Sequence, residues 1–356
     1  MVKPLHQARI AKKYEGLVMT YRVAINGFGR IGRVVLRILE QRRKLGLNHA
    51  QVVAINDLGC TDDLAYLLKY DSVHGRFDGE VAFENQHLLV NNQKISCYAM
   101  RDPQELPWKE LKIDVVLEAT GHFLTREKAS RHLNAGAKRV LLSAPAKDSP
   151  DATICYGVNT QDFKPDMKII STASCTTNCI APVAKTLHEA LGIKKASVTT
   201  IHSYTNDQRV LDLHHEDKRR GRAAALSMIP TTTGAAQAVA LVMPELKGRF
   251  QGLAIRVPTP NVSLIDMVCQ VEKKTTPEAL NHLLKEASLG RFKNIMGYCD
   301  EPLVSIDMNG TNFSSIVDSS CTQVVDGDLV KVMAWYDNEW GFANRAVDLL
   351  ELLGTN

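Results

Sequence analysis

The sequence predicts an α/β protein in two parts: a doubly wound, parallel-sheet dinucleotide-binding domain of the Rossmann type, then an α+β domain with a mainly antiparallel sheet. Three observations carry this. Strand-length apolar runs alternate with helical periodicity as far as Ser143. The first run ends in Gly27-Phe28-Gly29-Arg30-Ile31-Gly32, a glycine turn that opens directly into a helical pattern. Beyond Leu191 the runs alternate apolar and polar residues, as in Ala196 to Ile201 and Leu264 to Val268, which is how antiparallel strands with one solvated face read.

Taken in order, residues 1 to 20 precede the first credible strand and carry Lys3, Arg9, Lys12 and Lys13 against Glu15. They are expected to form a disordered extension, or an overlong start with Met19 as the true initiator. Arg22 to Asn26 is the first strand, and Val34, Val35, Ile38 and Leu39 mark the apolar stripe of the helix after the turn. In that turn Gly27, Gly29 and Gly32 let backbone approach a pyrophosphate, and the helix N-terminus at Arg30 and Ile31 favours its negative charge. Gln51 to Asn56 is the second strand. Asp57 at its end is placed to accept from both ribose hydroxyls and to repel a 2′-phosphate, so NAD is expected rather than NADP. Further strands at Asp114 to Ala119 and Arg139 to Ser143 flank a helix near Arg126 to Ala135. Thr120 and Ser143 lie at the carboxyl ends where ligands bind, and Arg101 is counted with them as a cofactor contact.

The chain has 356 residues, 45% apolar and 23% charged, with a formal net charge of +4. That is an ordinary composition for two folded domains, here 21–174 and 175–338. The one dense basic run, Lys218 to Arg222, is too short to suggest general nucleic-acid binding, and there is no apolar run of membrane-spanning length. Eight cysteines without a CxxC pair predict reduced thiols in the cytoplasm and no metal site.

The chemistry is concentrated in Ala173-Ser174-Cys175-Thr176-Thr177-Asn178-Cys179 and in Thr199-Thr200-Ile201-His202-Ser203-Tyr204-Thr205. Cys175 is expected at a helix N-terminus, whose dipole stabilises a thiolate, with His202 at a strand end as its base. A thiol, a base and a nicotinamide together imply aldehyde oxidation through a thioester.

From Tyr21 onward the chain resembles phosphorylating glyceraldehyde-3-phosphate dehydrogenases. The resemblance rests on the glycine turn, Lys69-Tyr70-Asp71-Ser72, Ala173 to Cys179, Ile229 to Ala236, Arg256-Val257-Pro258-Thr259-Pro260-Asn261 and Trp335-Tyr336-Asp337-Asn338-Glu339-Trp340. It implies that Cys175 is the nucleophile and His202 the base in the NAD-dependent conversion of glyceraldehyde 3-phosphate and inorganic phosphate to 1,3-bisphosphoglycerate, a glycolytic and gluconeogenic step. It further implies one anion site at Thr205, Arg220 and Arg256 and a second at Ser174, Thr176, Thr233 and Gly234. Asn338 is implied to bond the nicotinamide carboxamide, the C-terminal helix (339–356) to pack back on the cofactor domain, and the protein to be a homotetramer.

Two departures stand out: Phe342 where many members have tyrosine, and His214-His215-Glu216-Asp217 in the loop implied to reach a neighbouring subunit's cofactor. An alternative enzyme is erythrose-4-phosphate dehydrogenase, which shares the cysteine and histidine. Pro230 to Gly234 and Ser203 to Asp207 follow the triose enzyme instead. A surface-binding role without catalysis is disfavoured because Cys175, His202 and Arg256 are all present.

Overall fold

The structure, a computed structural model, describes residues 20–356; the expected N-terminal extension lies, Thr20 apart, outside them. The first part contains β1 (Tyr21–Asn26), α1 (Arg30–Lys44), β2 (Ala50–Asn56), α2 (Thr61–Lys69), a small ladder of β3 (Tyr70–Asp71) and β4 (Gly75–Arg76), then β5 (Val81–Glu84), β6 (His87–Val90) and β7 (Gln93–Tyr98). After these come β8 (Val115–Glu118), α3 (Arg126–Asn134), β9 (Arg139–Leu142), β10 (Ala152–Thr153) and β11 (Ile169–Ser171). Their nine-stranded sheet runs β10-β11-β9-β8-β1-β2-β7-β6-β5, parallel from β10 through β7 and antiparallel beyond. The chain leaves β1 toward β2 on one side and later returns to β8 on the other. This reversal puts a crevice at the carboxyl ends of β1, β2 and β8.

Two glycines make the close packing there possible. A Cβ on Gly27, at φ +93°, would lie 2.7 Å from the Ala119 carbonyl carbon, and one on Gly32 would lie 2.3 Å from the Gly27 oxygen. The antiparallel edge β5 to β7 was not visible in the apolar pattern. Its strands are short, the outermost β5 is largely exposed, and their turns depend on Asn85 and Asn91 at positive φ, a local feature without a hydrophobic signature.

The second part holds α4 (Cys175–Leu191), β12 (Ile193–Ser203), β13 (Ile229–Thr232), α5 (Ala235–Val242), β14 (Phe250–Val257), β15 (Ser263–Val271), α6 (Pro277–Leu289), β16 (Met296–Cys299), β17 (Ser315–Val325) and β18 (Leu329–Tyr336). Its seven-stranded sheet, β13-β14-β12-β15-β18-β17-β16, is antiparallel except where β12 meets β14 and β16 meets β17. The mixed α/β fold is therefore the one expected.

The last helix, α7 (Trp340–Thr355), packs Ala343, Ala346, Val347, Leu350 and Leu353 into the same core as Val23, Ile25 and Val35 of the first part. Arg42 on α1 pairs with Asp348 at 2.7 Å, and Arg139 Nη1 donates to the Leu353 carbonyl at 2.6 Å. A separate core gathers α4, α5 and the inner face of the second sheet. Cys175 therefore begins a helix rooted in the second core, at the seam between the two.

Candidate active site

The crevice at the β1, β2 and β8 ends forms a cavity of about 470 Å³ whose walls include Gly27, Gly29, Asp57, Arg101 and Thr120. A Cβ added to Gly29 would meet nothing within 4 Å, so the turn offers open space beside bare backbone. The N–H groups of Arg30, Ile31 and Gly32 precede the first helical bond, which Arg33 makes to the Gly29 carbonyl at 3.1 Å. Asp57 is anchored by donors on both oxygens, Phe28 N at 2.8 Å and Gly59 N at 2.9 Å. Open anion-binding backbone next to a fixed carboxylate suits a dinucleotide with a free ribose diol.

Three residues expected to meet the cofactor are engaged by partners within the protein. The Arg30 side chain turns away from the cradle: its Nε donates to Glu339 at 2.8 Å and its Nη1 pairs with Asp71 at 2.6 Å, so Arg30 can offer a cofactor its backbone alone. Ser143 and Asn338 do not line this cavity. Ser143 Oγ donates to the Glu118 carbonyl at 3.0 Å, and Asn338 Oδ1 accepts from Ser263 Oγ at 2.8 Å. That bond leaves the Asn338 amide NH2 as the end able to meet a ligand's carbonyl.

Cys175 and His202 come together as the spacing suggested, from the first residue of α4 and near the end of β12. Cys175 Sγ lies 3.6 Å from His202 Nε2. His202 Nδ1 is 2.6 Å from the Ser203 carbonyl, an acceptor, so the ring proton belongs on Nδ1 and Nε2 presents its lone pair to the thiol. Arg256 Nη1 lies 3.2 Å from the same carbonyl, from Thr205 Oγ1 and from His202 Nδ1; the last brings two donors together, since the shorter approach of Nδ1 to the carbonyl already fixes its proton. Burial pushes the Cys175 thiol up while Arg256 pulls it down. Burial, then the Arg256 charge, lowers His202 to about 3. The helix terminus therefore does not by itself outweigh desolvation at the sulfur, and a neutral imidazole is the form that receives the thiol proton.

The backbone before α4 is bent to place the sulfur. Ala173 adopts φ +58°, uncommon for a residue with a side chain, and Asn178 Nδ2 bridges the carbonyls on either side of it, Thr172 O at 2.8 Å and Ser174 O at 2.9 Å. Ser174 caps the helix by accepting from Thr177 N at 3.0 Å. Beneath the pair, the fully buried Tyr336 hydroxyl bonds Thr176 Oγ1 at 2.9 Å and Thr200 Oγ1 at 2.7 Å, and its ring meets His202 edge-on. Thr200 and Tyr336 were not singled out from sequence. A hydroxyl on an otherwise apolar inward strand face was the available signal.

Cys175, His202, Ser174, Thr176, Thr233, Gly234 and Arg256 line one cavity of about 190 Å³. The N-termini of α4 and α5 both open into it, Thr233 Oγ1 accepting from Ala235 N at 3.2 Å. Two helix termini and a guanidinium make a strong anion site. Thr205 joins through Arg256. Arg220 lies outside this wall, held by Asp207 at 2.6 Å, Asp217 at 3.5 Å and Thr231 Oγ1 at 3.0 Å. Asp217 belongs to the unusual His214 to Asp217 stretch, which is thus woven into the setting of Arg220.

Comparison with known proteins agrees with this geometry. Residues 174–338 match the glyceraldehyde 3-phosphate dehydrogenase C-terminal domain, and residues 21–126 match the NAD binding domain of the same proteins. The chain is 55% identical over 332 residues to glyceraldehyde-3-phosphate dehydrogenase of Geobacillus stearothermophilus, covering 93% of this chain and 97% of that one. It is 58% identical over 332 residues to the Thermotoga maritima protein of that name, covering 93% and 98%. It is 54% identical over 317 residues to the chloroplastic glyceraldehyde-3-phosphate dehydrogenase A of Scenedesmus vacuolatus, covering 89% and 100%. Identity sustained over both domains, on a fold that brings a cysteine and a histidine together beside a dinucleotide cradle, makes this chain a member of the glyceraldehyde 3-phosphate dehydrogenase family.

Proposed function

We propose that the chain oxidises D-glyceraldehyde 3-phosphate with NAD and inorganic phosphate to 1,3-bisphosphoglycerate. The observation that carries this is the 3.6 Å approach of Cys175 Sγ to His202 Nε2 at an anion cavity served by two helix N-termini. In this reading Sγ attacks the aldehyde carbon while His202 Nε2 takes the thiol proton. The resulting oxyanion is held by the protonated Nε2 and the Cys175 backbone N–H. NAD, when bound through Gly29, Asp57, Thr120 and the α1 N-terminus, supplies the two-electron acceptor that turns the hemithioacetal into a thioester. Inorganic phosphate seated by Ser174, Thr176, Thr233 and Gly234 then attacks the thioester carbonyl, forming the C–O bond of the acyl phosphate and releasing Cys175. Arg256, with Thr205 and Arg220 nearby, holds the substrate's own phosphate, and the Asn338 amide orients the carboxamide.

The exposed apolar residues Val210, Leu211, Leu213, Leu226 and Met228 support a homotetramer in which another copy covers this loop. Eight unpaired thiols support a reducing, cytoplasmic setting; no helix among the described residues is long and apolar enough to cross a membrane. The test is the rate of reduced nicotinamide formation with the triose phosphate and NAD, with and without inorganic phosphate, with erythrose 4-phosphate and NADP run in parallel. Sustained turnover that requires phosphate is expected. Faster turnover of the tetrose, indifferent to phosphate, would overturn the assignment.

A further inference from the structure

Under the floor of the dinucleotide cavity lies a buried polar cluster that plays no part in the chemistry above. Glu118, the last residue of β8, is wholly buried, as are His132 of α3 and Trp108. Burying a carboxyl group is costly unless it is well bonded, and this one is. Its Oε2 accepts from Asn26 Nδ2 at 2.6 Å and faces His132 Nε2 at 3.1 Å, while its Oε1 accepts from Thr120 N at 2.8 Å and from the Thr120 hydroxyl. Trp108 Nε1 can only donate, and it donates to His132 Nδ1 at 3.1 Å. The ring proton of His132 is thereby placed on Nε2, facing Glu118.

The cluster continues sideways through the strand ends. Asn56, at the end of β2, donates to Asn26 Oδ1 at 2.7 Å and to the Met100 carbonyl at 2.9 Å, and accepts from Met100 N at 2.8 Å. Asn26, Asn56, Met100, Arg101 and Thr120 all line the cavity, whereas Glu118, His132 and Trp108 do not. One carboxyl group therefore ties together the ends of β1, β2 and β8 and the backbone beside Arg101. It also settles what Thr120 can offer. Its hydroxyl proton goes to Glu118 and one lone pair takes His122 N at 3.0 Å, so toward the cavity Thr120 Oγ1 can only accept.

We propose that Glu118, oriented through His132 and Trp108, is the positioning residue of the dinucleotide site, setting the spacing of its three strand ends and presenting Thr120 as an acceptor. The inference rests on the reading of this cavity as the NAD site. Glu118→Gln keeps the shape but turns an NH2 group toward at least one of the donors now satisfied, so the strand ends must shift to relieve it, and a shift that forfeits one hydrogen bond to the cofactor corresponds to roughly a tenfold loss in affinity. Trp108→Phe keeps the packing but removes the N–H that fixes the His132 tautomer, without touching the cavity.

The experiment is NAD titration of the full chain and both variants by calorimetry, alongside thermal melting and the rate at which iodoacetamide alkylates Cys175 without cofactor. Glu118→Gln is expected to raise the NAD dissociation constant about tenfold and Trp108→Phe several-fold. The alkylation rates and the KM for the aldehyde should stay at the unsubstituted chain's values. If Glu118→Gln does not accumulate as folded protein, Trp108→Phe decides. Unchanged NAD affinity in a folded variant, with only the melting temperature lowered, would overturn the proposal and leave the cluster a structural one. Failure of the unsubstituted chain to bind NAD would overturn the reading of the cavity itself.

Discussion

At the scale of single residues, the site works by dividing tasks between a group that reacts and a group that keeps it in form. His202 is neutral because burial and Arg256 both oppose its charge, and its tautomer is set by the Ser203 carbonyl. Replacing it with asparagine should lower kcat by roughly a hundred- to ten-thousand-fold, the usual contribution of a positioned base. The variant's Cys175 should also be alkylated more slowly at a given pH, because no neighbour then takes the thiol proton as the sulfur attacks. An unchanged alkylation rate would remove His202 from the role of base. Cys175→Ser should abolish turnover by at least about a thousand-fold while NAD still binds, since the sulfur is not part of the cradle. Tyr336→Phe would leave the buried Thr176 and Thr200 hydroxyls short of a partner. A loss of about 1–3 kcal/mol in stability is expected, read as a lower denaturant midpoint at unchanged slope.

At the scale of elements, α4 is the piece on which the chemistry depends, and its start is built by side chains rather than by propensity. Ser174→Ala should cost about 1 kcal/mol through the lost cap and should raise the KM for inorganic phosphate more than that for the aldehyde. Equal rises in both would place Ser174 in the cap alone. This helix also shows what a sequence reveals and what it hides. The glycine turn, the apolar runs of β1, β2, β8 and β9, and the cysteine-histidine spacing were legible because each has a periodicity or a residue type that the chemistry demands. The positive φ at Ala173 was not, since alanine carries no turn signal and the bend is imposed by Asn178 from four residues beyond the cap. The role of the Arg30 side chain was hidden for a related reason. Its backbone stands in the glycine turn as expected, but its guanidinium is claimed by Glu339, 309 residues away along the chain. Long-range partners of this kind leave no local pattern.

At the scale of the whole molecule, that arginine links the two parts. Arg30 stands at the mouth of the cofactor turn, Asp71 at the end of β3 and His74 in the turn that follows it, and Glu339 directly after Asn338, where the chain passes from the second sheet into α7. Asn309 extends the contact by donating to the Val73 carbonyl at 3.0 Å and accepting from Asn261 at 2.7 Å. The cradle and the residue expected to hold the carboxamide are thus braced against each other. Burial alone would raise the Asp71 carboxyl, but the Arg30 pair and the N–H groups of His74 and Val73 outweigh it and hold the group at about 2, below its ordinary 3.8. Glu339 is lowered in the same way, burial being overcome by Arg30 and His74. A carboxyl group whose folded-state value is depressed contributes stability that is complete above its unfolded value and lost as pH falls through the folded one. The Asp71 contribution should therefore be intact near neutrality, begin to fade near pH 4 and be gone just below pH 2. Asp71→Asn should destabilise the chain at pH 7 by on the order of 2 kcal/mol and flatten the acid limb of a plot of melting temperature against pH. Parallel acid limbs for the variant and the unsubstituted chain would show that Asp71 titrates alike in the folded and unfolded states, and that the brace holds the two parts without this ion pair.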